Sequence, residues 1–345
     1  MANVLDIRRR IRSVRNTRQI TRAMKMISAA RLRRAQERAL SARPYAQMLT
    51  NVLKSLVARA EVYDPETGEP RHPLLARRPE KNILLIVVTA DKGLAGAFNT
   101  NILKAAMKFL ADKPGQNVDL ESIGRKARDF FRRRFPTSKP DVEGRAARVQ
   151  IVGERMNVMN QLSFAYAREL AEKIIERYTN GEIDSVYLLY NEFKSVIAQR
   201  LVVDQVLPIG EIGGRETAMA QELTAEERER SGEAARTAGV STEAADTSEI
   251  DRHAATFGSA QVDYIYEQPP DVLFRDLLPK YVAVQMFRAL LESVAAEHAA
   301  RMTAMDSATN NASDMIDSLT LAMNRARQAK ITKEIIEIVS GAAAL

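Results

Sequence analysis

The segment TADKGLAG, from Thr89 to Gly96, is where the sequence comes closest to a phosphate-binding loop. It follows a predicted buried strand and opens a predicted helix, which is where such loops occur. However, it lacks the Gly-x-x-x-x-Gly-Lys-Ser/Thr pattern, and Lys92 precedes the glycines instead of following them. A tight turn at Gly93 and Gly96, which lets helix and strand pack closely, explains the segment more simply.

Few other residues are candidates for metal or covalent chemistry. The three histidines, His72, His253 and His298, are predicted to lie in a loop, a flexible segment and a helix surface, and none has a metal-ligand spacing. The absence of cysteine excludes disulfides, thiolate metal sites and thiol nucleophiles. No Gly-x-Ser-x-Gly nucleophile elbow occurs. The sequence thus predicts no catalytic residue, no metal site and no cofactor.

The most unusual charge pattern lies in AMKMISAARLRRAQERAL, residues 23–40, which holds five basic residues and the single acid Glu37. A basic helix face of this kind contacts phosphates in nucleic-acid-binding proteins, whereas the more common case is a solvated helix surface. A helix on a membrane surface would place bulky Phe, Trp or Leu opposite the bases. The opposite face here offers Ala, Met and Ile, which suit packing against another helix.

These basic residues belong to a long predicted helix. From Asn3 to about Val57 there is no Gly and the only Pro is Pro44. Apolar residues recur mostly at steps of three and four between Val4 and Ile27, which marks one face of a helix. Such a helix would be about 80 Å long, and we expect a kink or an interruption at Pro44.

A second long helix is predicted at the C-terminus. A full heptad seam alternates steps of three and four residues there; its members are Met302, Met305, Thr309, Ala312, Ile316, Leu319, Met323 and Ala326. A short helix is expected to begin near Val272, with a new start or a kink at Pro279. Because each long helix has an apolar stripe, we expect the two to bury these stripes against each other as an antiparallel pair.

Strand patterns alternate with helix patterns between the two long helices, which predicts an α/β domain with a partly parallel sheet. We expect strands in KNILLIVV, NVDLESIG, DSVYLLYNEF and QRLVVDQVLPI, and helices in RKARDFFRRR and over about 157–178. The longest apolar run, ILLIVV at 83–88, is far shorter than the roughly 20 residues that span a bilayer. We therefore expect no direct membrane insertion.

A charged, Gly- and Ala-rich stretch from Glu211 to Ser259 breaks this alternation and is interpreted as a flexible acidic insert. Within it, Thr224 to Glu227 is a candidate capping box that would open one short surface helix. The predicted organisation is an N-terminal coiled-coil helix at 1–58, a central α/β domain at 80–210, the insert at 211–259 and a C-terminal coiled-coil helix at 271–345.

Four separated segments resemble the gamma subunit of the F-type ATP synthase, which is the central rotor shaft of that complex, and the resemblance covers nearly the whole chain. In chain order they are IRRRIRSVRNTRQITRAMKMISAARLRRAQ, ADKGLAGAFNTN, VDYIYEQPPDVLFRDLLPKYV and ARQAKITKEIIEIVSGAAAL. The last is similar to the C-terminal signature of the family, with Ile331-Thr332-x-Glu334, then Glu337-Ile338-Val339 and Gly341-Ala342.

This resemblance implies an asymmetric antiparallel coiled coil inside a hexamer of alternating alpha and beta subunits, with a Rossmann-like α/β domain outside it, near the epsilon subunit and the membrane c-ring. Rotation of the shaft would force the three beta catalytic sites through different conformations, so that proton flow drives ATP formation or hydrolysis drives pumping. ATP would be bound by alpha and beta. The complex would place this chain at the cytoplasmic face of the bacterial inner membrane.

The same resemblance implies three sets of subunit contacts. A basic face of the N-terminal stem would look onto an acidic lever loop of beta, and it comprises Met24, Lys25, Arg31, Arg33 and Arg34. Residues that would meet the beta catch loop are Arg327, Gln328 and Thr332. Ala342 to Leu345 would form the tip, held in an apolar bearing of the hexamer.

The sequence departs from the family at two places. Ala95 stands where many members have Cys, so regulation through a thiol is excluded. The insert at 211–259 is far longer than the usual linker, and it is either a latch towards beta or epsilon or a tolerated disordered loop. Two alternatives to a rotor remain, a basic coiled-coil nucleic-acid-binding protein and, less favoured, an α/β nucleotide-binding enzyme.

Overall fold

The computed structural model describes residues 4–57, 66, 70–137, 147–243 and 267–343. In chain order the helices and strands are α1 (Val4–Val57), β1 (Asn82–Val88), α2 (Phe98–Asp112), β2 (Asn117–Ile123), α3 (Arg125–Arg134), β3 (Val149–Arg155), α4 (Phe164–Thr179), β4 (Ser185–Phe193), β5 (Gln199–Leu207), β6 (Glu216–Glu222), α5 (Ala225–Ala238) and α6 (Pro270–Ala343). Short 3-10 helices lie at Pro73–Leu75 and Val158–Asn160.

The two long helices, α1 and α6, pack against each other as an antiparallel pair. Near the start of α1, Ile7 and Ile11 form a small apolar cluster with Ile316. Further along, the hydroxyl oxygens of Thr21 and Thr309 lie 2.7 Å apart. Residue numbers therefore rise along one helix as they fall along the other, and the predicted antiparallel coiled coil is confirmed.

Neither proline inside a long helix interrupts it. Helix α1 continues through Pro44, and α6 begins at Pro270 and continues through Pro279, so the expected new start at Pro279 is wrong. A proline in a helix interior costs about 3 kcal/mol. The residues around Pro279 offset this cost because Leu278 and Val282 are at most 1% exposed in the main apolar core.

The central domain is built on a six-stranded sheet with the strand order β3-β2-β1-β4-β5-β6. Strands β1 to β4 are parallel, whereas β5 and β6 are antiparallel to their neighbours. Alternate side chains of β1 point to opposite faces: Leu84 packs with α4 and the long helices, and Leu85 packs with α2 and α3. The predicted Rossmann-like α/β domain, joined to a helical shaft, is confirmed.

The predicted helix over 157–178 begins later than expected. Residues Val158–Asn160 form a 3-10 turn, and α4 starts at Phe164, after Ser163. The Ser163 hydroxyl accepts a hydrogen bond from the Tyr166 amide and so caps the helix. None of the described helices combines the length and the hydropathy that a bilayer span requires.

The segment at 211–259 is not flexible over its first half, contrary to expectation. Strand β6 pairs with β5, with Val202 opposite Ala220. The predicted capping box is confirmed, because Thr224 and Glu227 exchange hydrogen bonds at the start of α5. Helix α5 packs through small residues instead of large apolar ones, and its residue Ala235 is fully buried. Residues 244–259 lie outside the described residues.

Candidate functional site on the helical shaft

The loop that resembles a phosphate-binding loop, residues 89–96, ties elements of the α/β domain together. Asp91 Oδ1 accepts hydrogen bonds of 3.0 Å from the backbone amides of Arg125 and Asn157. Thr89 Oγ1 accepts one of 2.9 Å from the amide of Ala127. These bonds tie the loop to the start of α3 and to Asn157, which follows β3.

Helix α6 packs against the same loop. The Arg301 guanidinium donates to the carbonyl of Gly93 at 3.3 Å. A Cβ placed on Gly96 would lie 3.7 Å from Cβ of Ala304, which is ordinary contact, and the φ of +55° favours glycine there. Open α/β sheets bind nucleotides at the carboxyl ends of their strands, and here the shaft helix contacts that end of β1. This packing supports the interpretation of the loop as a structural turn.

The two histidines that the structure describes, His72 and His298, do not converge on a site. His72 Nδ1 accepts a hydrogen bond from the Leu74 amide at the 3-10 turn. His298 is half-buried on α6, not at an open helix surface as expected, and burial, with the nearby charges of Arg301 and Arg31, lowers its pKa to about 4. His253 lies outside the described residues. Among the described residues there is no group of three acidic or histidine side chains arranged to hold a metal ion.

Lys25, a predicted subunit contact, is buried within this chain. Its Nζ lies 2.5 Å from Asp306 Oδ1 on α6 and donates a 2.6 Å hydrogen bond to Thr237 Oγ1 on α5. The Lys25 and Asp306 side chains are 9% and 10% exposed. A contact between Lys25 and another subunit would therefore require α5 to move away.

The other members of the predicted basic face divide into two groups. Arg33 donates a hydrogen bond to the carbonyl of Gly239 at the end of α5, and Met24 is half-buried. Arg31 and Arg34 are exposed, as Arg33 is, but within the described residues no hydrogen bond ties them to α5; with Arg38 they follow the spacing of one helix face. We call Arg31, Arg34 and Arg38 the basic ridge.

The C-terminal part of α6 extends beyond the coiled coil. The last residues of α6 that pack with the start of α1 are Leu319, Met323 and Ala326. After Ala326 the helix continues to Ala343 with every described side chain from 327 to 340 exposed, including the predicted contacts Arg327, Gln328 and Thr332. Ala342 lies in the last turn of the helix, and Leu345 lies outside the described residues.

This overhang carries large apolar side chains that the site prediction did not include. Ile335, Ile338 and Val339 are 55%, 71% and 61% exposed. The run IIEIV in the sequence could have indicated this surface, because its apolar residues are too closely spaced to be buried on one helix face; among the described residues, none packs against them. Contiguous exposed apolar residues mark surfaces that bind another protein. We call residues 327–343 the apolar overhang.

Comparisons with known proteins agree over the full chain. The model of the family described as ATP synthase matches residues 3–345. The ATP synthase gamma chain of Solibacter usitatus is 48% identical over 344 residues, covering 100% of this chain and 99% of the relative. That of Anaeromyxobacter sp. (strain Fw109-5) is 44% identical over 347 residues and covers 100% of both chains.

Solved structures share the fold at lower identity. A chain in the cryo-EM structure of the Euglena gracilis mitochondrial ATP synthase matches with a TM-score of 0.55 and 17% identity, covering 99% of this chain and 94% of that one. A chain of the Tetrahymena thermophila mitochondrial ATP synthase central stalk and c-ring matches with a TM-score of 0.51 and 21% identity, over 84% of this chain and 99% of that one.

Proposed function

This chain belongs to the ATP synthase gamma-chain family, and on that premise we propose that it is the non-catalytic central rotor of a proton-translocating ATP synthase. Rotation driven by proton flow turns the shaft, and the shaft imposes different conformations in turn on the catalytic sites of the three beta subunits. Its partners are the alpha and beta subunits of the catalytic hexamer, the epsilon subunit and the membrane c-ring. The complex holds it at the cytoplasmic face of the bacterial inner membrane, without direct membrane insertion of this chain.

The observation that carries this proposal is the apolar overhang. It follows Ala326 within α6 for 17 residues, which at 1.5 Å per residue is about 25 Å of single helix. Short helices without tertiary contacts are marginal in water, and this one exposes Ile338 by 71%. A ring of subunits that encloses the overhang would shield these side chains while leaving the helix free to rotate.

The basic ridge supplies the asymmetry that a rotor needs. Arg31, Arg34 and Arg38 lie on one side of α1, so a turning shaft presents positive charge to one beta subunit at a time. Exposed ion pairs contribute only about 0–1 kcal/mol each. Contacts of this strength to acidic surfaces of beta form and break as the shaft turns, whereas an interlocked apolar interface would resist rotation.

A nucleic-acid-binding function is less well supported. Lys25 is paired with Asp306 at 2.5 Å and Arg33 is bound to the Gly239 carbonyl, so two of the five bases in residues 23–40 are engaged within the chain. Phosphate contacts need cations that reach a backbone. Further exposed arginines, among them Arg8, Arg9 and Arg22, lie along α1, so it is the family membership of the chain, and not a lack of cations, that favours an acidic protein surface as the partner.

Reconstitution of the full chain with alpha and beta subunits, followed by a Mg-ATPase assay, tests this function. We expect activity that requires all three, and a severalfold loss when Arg31 and Arg34 are both replaced by Glu, because the ridge would then repel acidic beta surfaces. The matched control replaces Arg133 and Arg134 by Glu; these are exposed residues of α3, outside the shaft. Failure of the chain to join the hexamer would refute the proposal, and salt-dependent DNA binding would then favour the alternative.

A further inference from the structure

One arginine connects the α/β domain to the shaft. Arg215 lies in the turn before β6, and its Nη1 donates hydrogen bonds of 2.9 Å to the Tyr190 hydroxyl and to Glu192 Oε1 on β4. The same Nη1 lies 3.8 Å from Asp204 Oδ2 on β5. Its Nη2 reaches Glu292 Oε1 on α6 at 3.4 Å. One guanidinium therefore bridges two strands and a long helix.

The carboxylates around Arg215 are buried, and partly exposed arginines balance their charge. The side chains of Glu192 and Glu292 are only 5% and 9% exposed. Each has a second arginine: Arg200 binds Glu192, and Arg288 Nε lies 2.8 Å from Glu292 Oε1. With Asp204, the cluster holds three carboxylates and three arginines, of which Arg200 and Arg288 are 34% and 45% exposed, so each buried carboxylate has a cation beside it.

The turn that carries Arg215 is itself held against both long helices. The amide of Gly213 donates a 2.9 Å hydrogen bond to the hydroxyl of Tyr281 on α6. Gly213 has a φ of +84°, and a Cβ there would lie 2.8 Å from side-chain atoms of Thr50 and Lys54 on α1. Only glycine fits this close approach without displacing α1 side chains. The turn is thus wedged between the shaft and the sheet.

Apart from the Gly213–Tyr281 bond and the bond from Arg301 to the Gly93 carbonyl, the contacts between α6 and the sheet at this junction are mainly apolar. Leu290 and Val294 of α6 share a core with Leu188 of β4. Apolar burial holds surfaces together but has no directional preference, so two such surfaces resist separation more than they resist sliding. Charge-assisted hydrogen bonds are directional and short. The Arg215 cluster holds the largest set of these bonds between the sheet and α6, so we expect it to contribute most to resisting rotation of the domain about the shaft.

We propose that Arg215 is a positioning residue that fixes the angle of the α/β domain on the shaft, so that torque passes between them without slippage. The proposal rests on the proposed rotor function. Arg215 touches no reacting group and acts by holding Glu292 of α6 against Tyr190 and Glu192 of β4. Loss of Arg215 lowers the torsional stiffness of the rotor while leaving the surfaces that meet the hexamer intact.

The test measures torsional stiffness in the assembled complex. The chain has no cysteine, so the single substitution Lys108→Cys on the exposed side of α2 gives a unique attachment point for a bead, with the hexamer fixed to a surface. The angular fluctuation of the stalled rotor reports stiffness. We expect Arg215→Met to lower the torsional stiffness by about twofold or more, since it removes every charge-assisted bond of the guanidinium. The stiffness of Arg215→Lys should lie between those of the wild type and Arg215→Met.

Two controls separate positioning from general destabilisation. Arg77→Met removes the exposed Arg77–Glu216 pair of the same segment and should leave stiffness unchanged. Val294→Ala weakens the apolar part of the junction and should lower thermal stability more than stiffness. Equal softening by Val294→Ala, or unchanged stiffness in Arg215→Met, overturns the proposal.

A measurement on the full chain by itself tests the role of Arg215 without requiring assembly with the hexamer. Thermal unfolding of Arg215→Met, Glu292→Gln and the double variant gives a double-mutant cycle. We expect the double variant to be distinctly less destabilised than the sum of the two single ones. Additive effects on the free energy of unfolding would show that the two side chains are not coupled and would refute the proposal. Failure of the wild-type chain to join the hexamer would refute the rotor function and leave this coupling untouched.

Discussion

The Lys25–Asp306 pair shows how strongly one residue's role depends on its surroundings. The two side chains lie on different long helices, 281 positions apart in the sequence, with an N–O distance of 2.5 Å and about a tenth of each side chain exposed. A buried pair is weak evidence for net stability, but removing one partner leaves an uncompensated buried charge. The pair therefore fixes the register of α1 on α6.

We predict that Lys25→Met destabilises the chain by about 3 kcal/mol or more. Combining it with Asp306→Leu should recover much of this loss, because no charge is then left buried. Chemical denaturation of the full chain measures both effects. Lys330→Met, which removes an exposed pair on α6, serves as the control and should have little effect. A Lys25→Met chain as stable as the wild type would show that Asp306 finds water or another partner.

At the level of elements, α5 lies on the shaft face that was predicted to meet beta. Thr237 binds Lys25, and the carbonyl of Gly239 binds Arg33. Ser231 Oγ lies 3.3 Å from Thr303 Oγ1 on α6. Contacts to both long helices hold α5 at the level of the basic stem. We propose that α5 acts as a latch that competes with beta for this face.

Ala235→Arg tests the latch by forcing α5 off the shaft, because Ala235 is fully buried and has no room for a long cation. We expect faster hydrogen exchange in α5 and higher Mg-ATPase activity in the reconstituted complex. Ala225→Arg makes the same change at an exposed position of α5 and should alter neither. If α5 exchanges faster while activity stays the same, it is a tolerated surface element and not a latch.

At the scale of the whole molecule, the shaft is asymmetric along its length. Next to the α/β domain, α1, α6 and the sheet share one apolar core. Further out, the two helices are joined by the Lys25–Asp306 pair, the contact of Thr21 with Thr309 and a small apolar cluster of Ile7, Ile11 and Ile316. Beyond that cluster, α6 continues without a packing partner among the described residues. Stability thus decreases from the α/β domain towards the overhang, and the most exposed part depends most on partners.

We predict that ending the chain after Arg325 lowers the Mg-ATPase activity of the reconstituted complex severalfold without abolishing it, because the basic ridge remains for the hexamer to grip. Replacing Ile335, Ile338 and Val339 by Ser keeps the length of the overhang and removes its apolar surface, so it should weaken assembly in the same direction. Full activity of both variants would mean that the hexamer does not hold the overhang through its apolar surface.

Local patterns in the sequence predicted most of the architecture. Apolar runs and helical periodicity located four of the six described strands and the two long helices, since these patterns reflect which side of an element is buried. Strands β3 and β6 were missed. The glycine turn after β1 and the capping box of α5 could also be predicted from the sequence, because both depend on residues within a few positions of each other. The exposed contacts on the overhang followed from the resemblance and still await a binding measurement.

Only the tertiary structure decided which charged residues are available. Lys25 and Arg33 had the same appearance in the sequence as Arg31 and Arg34, but their partners Thr237 and Gly239 lie more than 200 positions away. Packing against residues far away in the sequence also decides three other features. These are the folding of β6 and α5 as regular elements, the continuity of α6 through Pro279 and the four contacts of Arg215. Local patterns specify elements because hydrogen bonding and periodicity are local, whereas burial and pairing of charges depend on which elements meet in space.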